Sequence, residues 1–185
     1  MRAPALAAAA ALLLASPAHA CCERAHLLPQ GKQAGEAPLA IGDSVMLGAA
    51  KQLAGGGLEV DAKEGRVMHA AISILRRRER VETLPDTVVV ALGTNFPAQP
   101  AELADAIRIL GAQRTLVLVT PFRAWSPFGA AAFWRAKRLH PVTVRIADWG
   151  AAASRNAAWL YADGTHLRPQ GALGYTRLVR AATRP

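Results

Sequence analysis

Three residues whose side chains can together activate a hydroxyl group occur in this sequence at Ser44, Asp163 and His166. A serine hydroxyl is a weak nucleophile at neutral pH and needs a base within hydrogen-bond reach to take its proton. Histidine serves as that base when a carboxylate fixes its tautomer. Asp163 and His166 share one short segment, residues 162–167, so a tight loop can bring the carboxylate to Nδ1 and leave Nε2 facing Ser44. The pattern predicts nucleophilic attack on an acyl group.

Attack on an acyl group also requires hydrogen-bond donors aimed at the oxyanion that develops. We expect one donor to be the backbone N–H of Ser44, at the start of a helix. A second candidate is the N–H of Gly65, because glycine lets the backbone approach a substrate closely. A third candidate is the side-chain amide of Asn95. Structural roles are open for the same residues, since Ser44 can cap a helix and Asn95 or Gly65 can simply serve a turn.

The elements that must position these residues alternate between short apolar runs and longer helical stretches. This alternation predicts a parallel sheet with helices on both faces, in which ligands bind beyond the carboxyl ends of the strands. All the candidate residues follow a predicted strand, so the fold brings them to one edge of the sheet. We predict strands at residues 38–41, 58–61, 87–92, 115–120 and 142–147, and helices at residues 45–53, 67–84, 101–110, 130–140 and 171–182.

Four short blocks, taken in order, resemble those of the SGNH/GDSL hydrolase superfamily. They are residues 41–45 (IGDSV), Gly65, residues 93–95 (GTN) and residues 163–167 (DGTHL). The resemblance implies a flavodoxin-like three-layer α/β/α fold with a five-stranded parallel sheet. It also implies a catalytic triad and an oxyanion hole, made by the residues matching the family's motifs: Ser44, His166 and Asp163 for the triad, and Ser44, Gly65 and Asn95 for the oxyanion hole.

Within that superfamily the sequence is most similar to the SGNH domains of bacterial peptidoglycan and polysaccharide O-acetyltransferases. Residues 61–66 (DAKEGR) and the pair Asp148 and Trp149 carry this narrower likeness. One departure concerns the residue after Asn95, where many family members have Asp and this chain has Phe96. The departure leaves the triad intact and is expected to change the pocket wall or the acceptor site.

Four further residues are candidates for contacts with the substrate. Arg66, beside Gly65, could meet an anionic substrate, although a solvated arginine is an equally reasonable interpretation. Phe96, Phe122 and Trp125 follow the third and fourth predicted strands and could line the pocket. Packing in the core or at the pocket rim is the alternative role for each of these three aromatic residues.

The N-terminal residues 1–20 have the layout of a secretory signal peptide. A positive charge at Arg2 is followed by an Ala/Leu run and by a small-x-small triplet that ends at Ala20, where we expect cleavage. The apolar run is too short to span a bilayer. We therefore expect a periplasmic or secreted protein, with residues 21–36 as an irregular arm and residues 37–185 as one catalytic domain.

The cysteines, Cys21 and Cys22, are adjacent and lie at the predicted new N-terminus. An exported compartment would permit a vicinal or intermolecular disulfide. Attachment of a lipid to Cys21 is the alternative, but Ala18 stands where a lipoprotein signal usually has Leu. No cysteine and histidine pair has the spacing of metal ligands, so we predict no metal and no cofactor.

The sequence is strongly basic, with a formal net charge of +9. Without the leader, which carries one of the 22 Lys and Arg residues, 21 basic residues remain against 13 acidic ones. Such a surface suits an acidic polymer, for example an envelope polysaccharide, or an anionic membrane. No nucleic-acid-binding motif is present, and the export signal argues against that partner. We expect a monomer.

The combined expectation is an extracytoplasmic serine esterase or O-acyltransferase acting on acylated carbohydrate or a small ester. If the chain transfers acyl groups, its donor would be a soluble ester or a separate membrane protein. A lysophospholipase or thioesterase is one alternative, but the short loops offer little material for a long acyl groove. A non-catalytic glycan-binding module is the other, and it would have no need for Ser44, Asp163, His166 and Asn95 together.

Overall fold

The computed structural model describes residues 23–123 and 130–184 of the chain. In these two ranges strands and helices alternate along most of the sequence, as the hydrophobic pattern predicts. The strands are β1 (Arg24–Leu27), β2 (Leu39–Gly42), β3 (Glu59–Lys63), β4 (Thr87–Ala91), β5 (Thr115–Val119) and β6 (Val144–Ala147). The helices are α1 (Ser44–Leu47), α2 (Ala50–Gly55), α3 (Met68–Arg80), α4 (Pro100–Leu110), α5 (Ala130–Leu139), α6 (Trp149–Ser154) and α7 (Pro169–Thr183), with a 3₁₀ turn at Ala157–Trp159.

The six strands of the described residues form one sheet in the order β1-β3-β2-β4-β5-β6. Strands β2 to β6 are parallel, which confirms the predicted five-stranded parallel sheet. The central strand β4 is a run of β-branched residues that is buried on both faces, as parallel strands covered by helices must be. The carboxyl ends of β2, β3 and β4 therefore lie side by side at one edge.

Strand β1 lies where we expected an irregular arm over residues 21–36, and it adds an antiparallel sixth strand to the predicted five-stranded parallel sheet. Residues Arg24–Leu27 pair antiparallel with β3 and add a sixth strand at the sheet edge. The four-residue segment is short and half-exposed, so it carries no clear alternating pattern. Its contacts are with distant residues: His26 bonds to Glu59 at 2.9 Å and Arg24 approaches Asp61 at 3.4 Å.

Helices cover both faces of the sheet, so the predicted three-layer arrangement is confirmed. Strand periodicity divides the core, since successive side chains point to opposite faces. Val89 packs on the side of α1, α2, α6 and α7. Val88 and Val90 pack on the side of α3, α4 and α5. The candidate residues thus sit on a rigid, doubly covered sheet.

Three local features differ from the sequence prediction. The helix predicted over residues 45–53 is two short helices, α1 and α2, separated at Gly48 and Ala49. The short helix α6 was not predicted. The run of charged residues 76–80 predicts a solvated helix face, yet Arg78 of this run is buried against Glu59. Each difference depends on tertiary contacts that a local pattern does not contain.

None of the helices in the described parts is both long and apolar enough to cross a membrane.

Candidate active site

Ser44 is the first residue of α1, directly after β2 and one buried residue, Asp43. Asp43 caps the helix: its extended backbone precedes the helix, and its Oδ1 accepts the N–H of Val45 at 2.9 Å. A cap of this kind fixes the direction in which the helix starts. The half-buried Ser44 side chain is therefore presented at the carboxyl edge of the sheet.

Asp163 and His166 lie on the loop between the 3₁₀ turn and α7, and the aspartate organises this loop by itself. Its Oδ1 accepts the backbone N–H of Thr165 at 2.9 Å and that of His166 at 3.0 Å. Its Oδ2 lies 2.8 Å from Nδ1 of the His166 ring. The other ring nitrogen, Nε2, lies 3.0 Å from Oγ of Ser44. The loop thus brings together the three residues that the sequence singled out.

The two ring contacts of His166 favour the tautomer that carries its proton on Nδ1. With its proton on Nδ1, the His166 ring donates to the Asp163 carboxylate, and Nε2 is left to accept the hydroxyl proton of Ser44. Partial burial acts to raise the pKa of Asp163, but the bonds from His166 and Thr165 outweigh it and lower that pKa. Asp163 is therefore ionised at neutral pH and can stabilise positive charge on the ring.

Asp43 is the second carboxylate near the nucleophile, and its pKa is shifted in the direction opposite to that of Asp163. Burial raises its pKa to about 6, against the lowering effect of the Val45 N–H, the Thr94 side chain and His166. Thr94 lies close enough to lower this pKa, but no described donor reaches Oδ2 in hydrogen-bonding geometry. Asp43 also lines a small internal cavity with Trp149 and Tyr175. It is a structural residue beneath Ser44.

The three candidate oxyanion donors lie on three neighbouring loops of the sheet edge. The N–H of Ser44 lies in the first helical turn, where the donors have no intrahelical acceptor. Gly65 is exposed in the turn after β3, with a φ of +67° that favours glycine. Asn95 follows β4 and donates through Nδ2 to the carbonyl of Arg66 at 3.2 Å. This bond ties the Asn95 loop to the Gly65 loop and leaves the amide a second N–H.

Arg66 has a different place from the one that its neighbour Gly65 suggested. Its guanidinium is buried and lies 2.8 Å from Oδ1 of Asp61. It also donates to the backbone carbonyls of Asp61 and Gly42. Arg66 therefore binds β3 to the end of β2, two residues before Ser44, and acts as a positioning residue rather than a surface contact for an anion.

Of the three aromatic residues expected near the pocket, Phe96 and Phe122 lie in different surroundings. Phe96 is 59% exposed beside Asn95, in a position where it can form part of a pocket rim. Phe122 is half-buried and packs against the core on the α7 side of the sheet. Trp125 lies outside the described residues.

Aromatic packing that the sequence analysis did not predict lies next to the loop that carries His166 and stabilises it. The Trp159 ring stacks on Trp149 with centroids 5.9 Å apart, and Trp149 meets Tyr175 edge-on at 5.1 Å. Gly171 permits α7 to touch this loop, since a Cβ there would lie 2.2 Å from the carbonyl oxygen of Trp159. The pair Gly171 and Gly174, three residues apart on one helix face, was the available sequence signal.

No cluster of three or more His, Cys, Asp or Glu residues that could hold a metal ion occurs within residues 23–123 and 130–184.

Comparisons of sequence and of structure both find peptidoglycan O-acetyltransferases that are similar to this chain. No family model matches the chain. Over 144 residues, or 76% of the chain, it is 27% identical to YrhL of Bacillus subtilis (strain 168), a presumed peptidoglycan O-acetyltransferase. Over 145 residues it is 29% identical to the peptidoglycan O-acetyltransferase OatA of Listeria monocytogenes. The chain spans 23% of the length of each of these curated relatives.

Two solved structures have the same fold. The C-terminal catalytic domain of OatA from Streptococcus pneumoniae, with a methylsulfonyl adduct, matches with a TM-score of 0.69 at 24% identity, covering 81% of this chain and 93% of that one. A presumed SGNH hydrolase from Slackia heliotrinireducens matches with a TM-score of 0.63 at 19% identity, covering 79% and 97%. The predicted SGNH hydrolase fold and the predicted resemblance to peptidoglycan O-acetyltransferases are confirmed.

Proposed function

We propose that this chain, which has the SGNH hydrolase fold, is an extracytoplasmic serine esterase or O-acyltransferase for acyl esters of a cell-envelope carbohydrate. The observation that carries the proposal is the continuous path from Asp163 through His166 to Ser44, with contacts of 2.8 Å and 3.0 Å. Two peptidoglycan O-acetyltransferases among the relatives support a carbohydrate substrate and an acetyl group.

In the first half of the reaction Ser44 is the nucleophile. Its Oγ forms a bond to the carbonyl carbon of the ester while its proton passes to Nε2 of His166. The imidazolium that results is stabilised by the ionised Asp163. The tetrahedral oxyanion is bound by the N–H groups of Ser44 and Gly65 and by the amide of Asn95. The intermediate then breaks its ester C–O bond, and the leaving oxygen takes the proton back from His166.

The second half of the reaction resolves the acyl-enzyme. A water molecule or a sugar hydroxyl gives its proton to Nε2 of His166 and attacks the carbonyl carbon bound to Ser44. Collapse of the second intermediate returns the proton to Ser44 and releases either a free acid or a new ester. Hydrolysis and transfer therefore use the same residues and differ in which acceptor reaches the acyl group.

The compartment and the partners follow from the N-terminal sequence and the chemistry. The leader pattern of residues 1–20 supports export to the periplasm or beyond, with cleavage after Ala20. In that compartment the acyl donor would be a soluble ester or a separate membrane protein. The protein would work as a monomer without metal or cofactor.

The proposal is tested by turnover of p-nitrophenyl acetate by the purified protein. Ser44→Ala should lower kcat about a thousandfold or more, the scale expected for removal of a triad nucleophile. Ser154→Ala is the matched control, because Ser154 is an exposed helical residue whose Oγ bonds to Ala151 within its own helix. Equal turnover by the wild type and Ser44→Ala would refute the proposal, and so would no turnover by a folded wild type.

Transfer is separated from hydrolysis by adding a carbohydrate acceptor to the same reaction. An acyltransferase should yield acetylated muropeptide or oligosaccharide in proportion to the acceptor concentration, at the expense of free acetate. An esterase should release acetate at a rate that the acceptor does not change. Mass spectrometry of the sugar products distinguishes the two outcomes.

A further inference from the structure

An open groove of about 500 Å³ begins at Gly65 and runs between the outer strands of the sheet and helix α3. Its lining carries five side chains that are or can become cationic: Arg24, Lys63, Arg66, His69 and Arg77. Glu64 is the single acidic residue among its described lining residues. The groove is thus a basic surface that shares one residue with the candidate oxyanion hole.

Two buried acidic residues of the adjoining strand β3 already have basic partners. Glu59 is buried and bonds to both Arg78 and His26. Asp61 is buried and bonds to Arg66 at 2.8 Å, with Arg24 as a second, longer contact at 3.4 Å. Neither Lys63 nor Arg77 is among the ion-pair partners of these two acids.

Basic side chains line both walls of the groove, on strands β1 and β3 and on helix α3. Arg24 and Lys63 are directly opposite in the antiparallel pair of β1 and β3. Like charges in that position destabilise a sheet. On α3, His69 and Arg77 are eight residues apart with Ser73 between them, so all three lie on one helix face.

Lys63 and Arg77 keep their full charge available at this surface. Both side chains are exposed, and neither makes an ion pair with any residue that the structure describes. An anion in the groove would relieve the repulsion between Lys63 and Arg24 and would pair with the exposed guanidinium of Arg77. Arg66, which the sequence suggested for this task, is buried with its own partner and is excluded from it.

We infer that this groove binds an anionic group, a carboxylate or a phosphate, of the polymer whose ester reacts at Ser44. This inference rests on the proposed function and adds a substrate class to it. Because Gly65 lines the groove and is also a candidate oxyanion donor, an anion held by Lys63 and Arg77 would place a neighbouring sugar ester at the nucleophile. Substrates without negative charge would react at Ser44 without being positioned by the groove.

The test is a double variant, Lys63→Gln with Arg77→Gln, which keeps side-chain length and removes two charges. The matched control is Lys51→Gln with Arg138→Gln, which removes the same charge from exposed positions on α2 and α5. Binding is measured to polygalacturonate as the carboxylate probe, to polyphosphate as the phosphate probe and to dextran as a neutral polymer. Turnover is measured with p-nitrophenyl acetate, acetylated polygalacturonate and a neutral acetylated xylan.

We expect the test variant to bind at least one anionic probe about fivefold or more weakly at low salt, with the difference shrinking as salt screens the charges. The probe that weakens more identifies the anion as carboxylate or phosphate. The kcat/KM for acetylated polygalacturonate should fall in parallel, whereas turnover of acetylated xylan and p-nitrophenyl acetate should stay unchanged. The control variant should behave like the wild type.

The inference is overturned if test and control variants lose affinity equally, or if neither loses affinity. It is also overturned if p-nitrophenyl acetate turnover falls along with the anionic substrate, because the residues would then act on the catalytic centre itself. A wild type without esterase activity that still shows the charge-specific loss of binding would refute the proposed function and retain the anion site. The two proposals therefore fail separately.

Discussion

The Asp163 carboxylate holds His166 from two directions at once. One oxygen lies 2.8 Å from the ring Nδ1, and the other accepts the backbone N–H of the same histidine at 3.0 Å. The residue that orients the base thus also shapes the loop that carries it. This double role lets the orienting charge be separated from the loop structure by mutation.

Asp163→Asn should lower kcat for p-nitrophenyl acetate by about a hundredfold or more, because an amide cannot keep the His166 proton on Nδ1 as a carboxylate does. The side-chain oxygen of Asn can still accept the backbone N–H groups of Thr165 and His166. We therefore expect the thermal unfolding midpoint to fall less than in Asp163→Ala. Asp163→Ala should lose the loop contacts as well and lower both quantities. A kcat for Asp163→Asn within threefold of the wild type would contradict the role given to the carboxylate.

Gly171→Ala should destabilise the protein by about 1–3 kcal/mol, the usual cost of forcing extra atoms into a packed site. The added Cβ would lie 2.2 Å from the carbonyl oxygen of Trp159, and the backbone there must move. Since the same loop carries His166, kcat should fall too. Gly55→Ala is the control, because no atom lies within 4 Å of a Cβ at that helical position. The midpoints of thermal unfolding of the two variants test this prediction. Equal midpoints would refute the argument that a Cβ at Gly171 disturbs the packing against Trp159.

How much of this arrangement was predictable varies by element. The alternation of short apolar runs and longer helical stretches is a local signal, and it predicted that Ser44, Gly65 and Asn95 follow strands at one sheet edge, where the structure has them. Strand β1 was missed because its stabilisation comes from partners more than 30 residues away, Glu59 and Asp61. The burial of Arg66 was missed for the same reason, since its neighbour Gly65 is exposed and only the folded chain brings Gly42 to it.

Arg66→Ala should destabilise the protein by about 3 kcal/mol or more, because it leaves the buried Asp61 carboxylate without its principal partner. Arg24→Ala removes the longer, half-exposed contact of the same carboxylate and should cost much less. Denaturant unfolding measures both. If Arg66→Ala kept wild-type stability and raised KM selectively for anionic substrates, Arg66 would be a substrate ligand and its positioning role would be wrong.

Asp43 should make stability depend on pH in a direction opposite to that of a salt-bridged acid. Its pKa rises from an ordinary 3.8 to about 6 on folding, so the folded state binds the proton more tightly than the unfolded state. This contribution is fully present below about pH 4 and is lost as pH rises through about 6, a change of about 3 kcal/mol. Asp163, whose pKa is lowered, acts in the opposite sense and stabilises the fold above the unfolded pKa.

Asp43→Asn isolates that contribution, because the amide oxygen can still cap the N–H of Val45 and does not titrate. The difference in unfolding free energy between wild type and Asp43→Asn, measured in denaturant from pH 4 to pH 8, should change through the window between about 4 and 6. Parallel stability profiles across that window would show that the carboxyl group of Asp43 has the same pKa in the folded and unfolded states.

The central claim is that Ser44 carries the acyl group between donor and acceptor. Mass spectrometry of the protein, acid-quenched during turnover of p-nitrophenyl acetate and digested, measures this directly. The account predicts one acetyl group on the peptide that contains Ser44, absent from the Ser44→Ala protein. An acetyl group on another residue that turns over at the catalytic rate, or one that persists in Ser44→Ala, would contradict it.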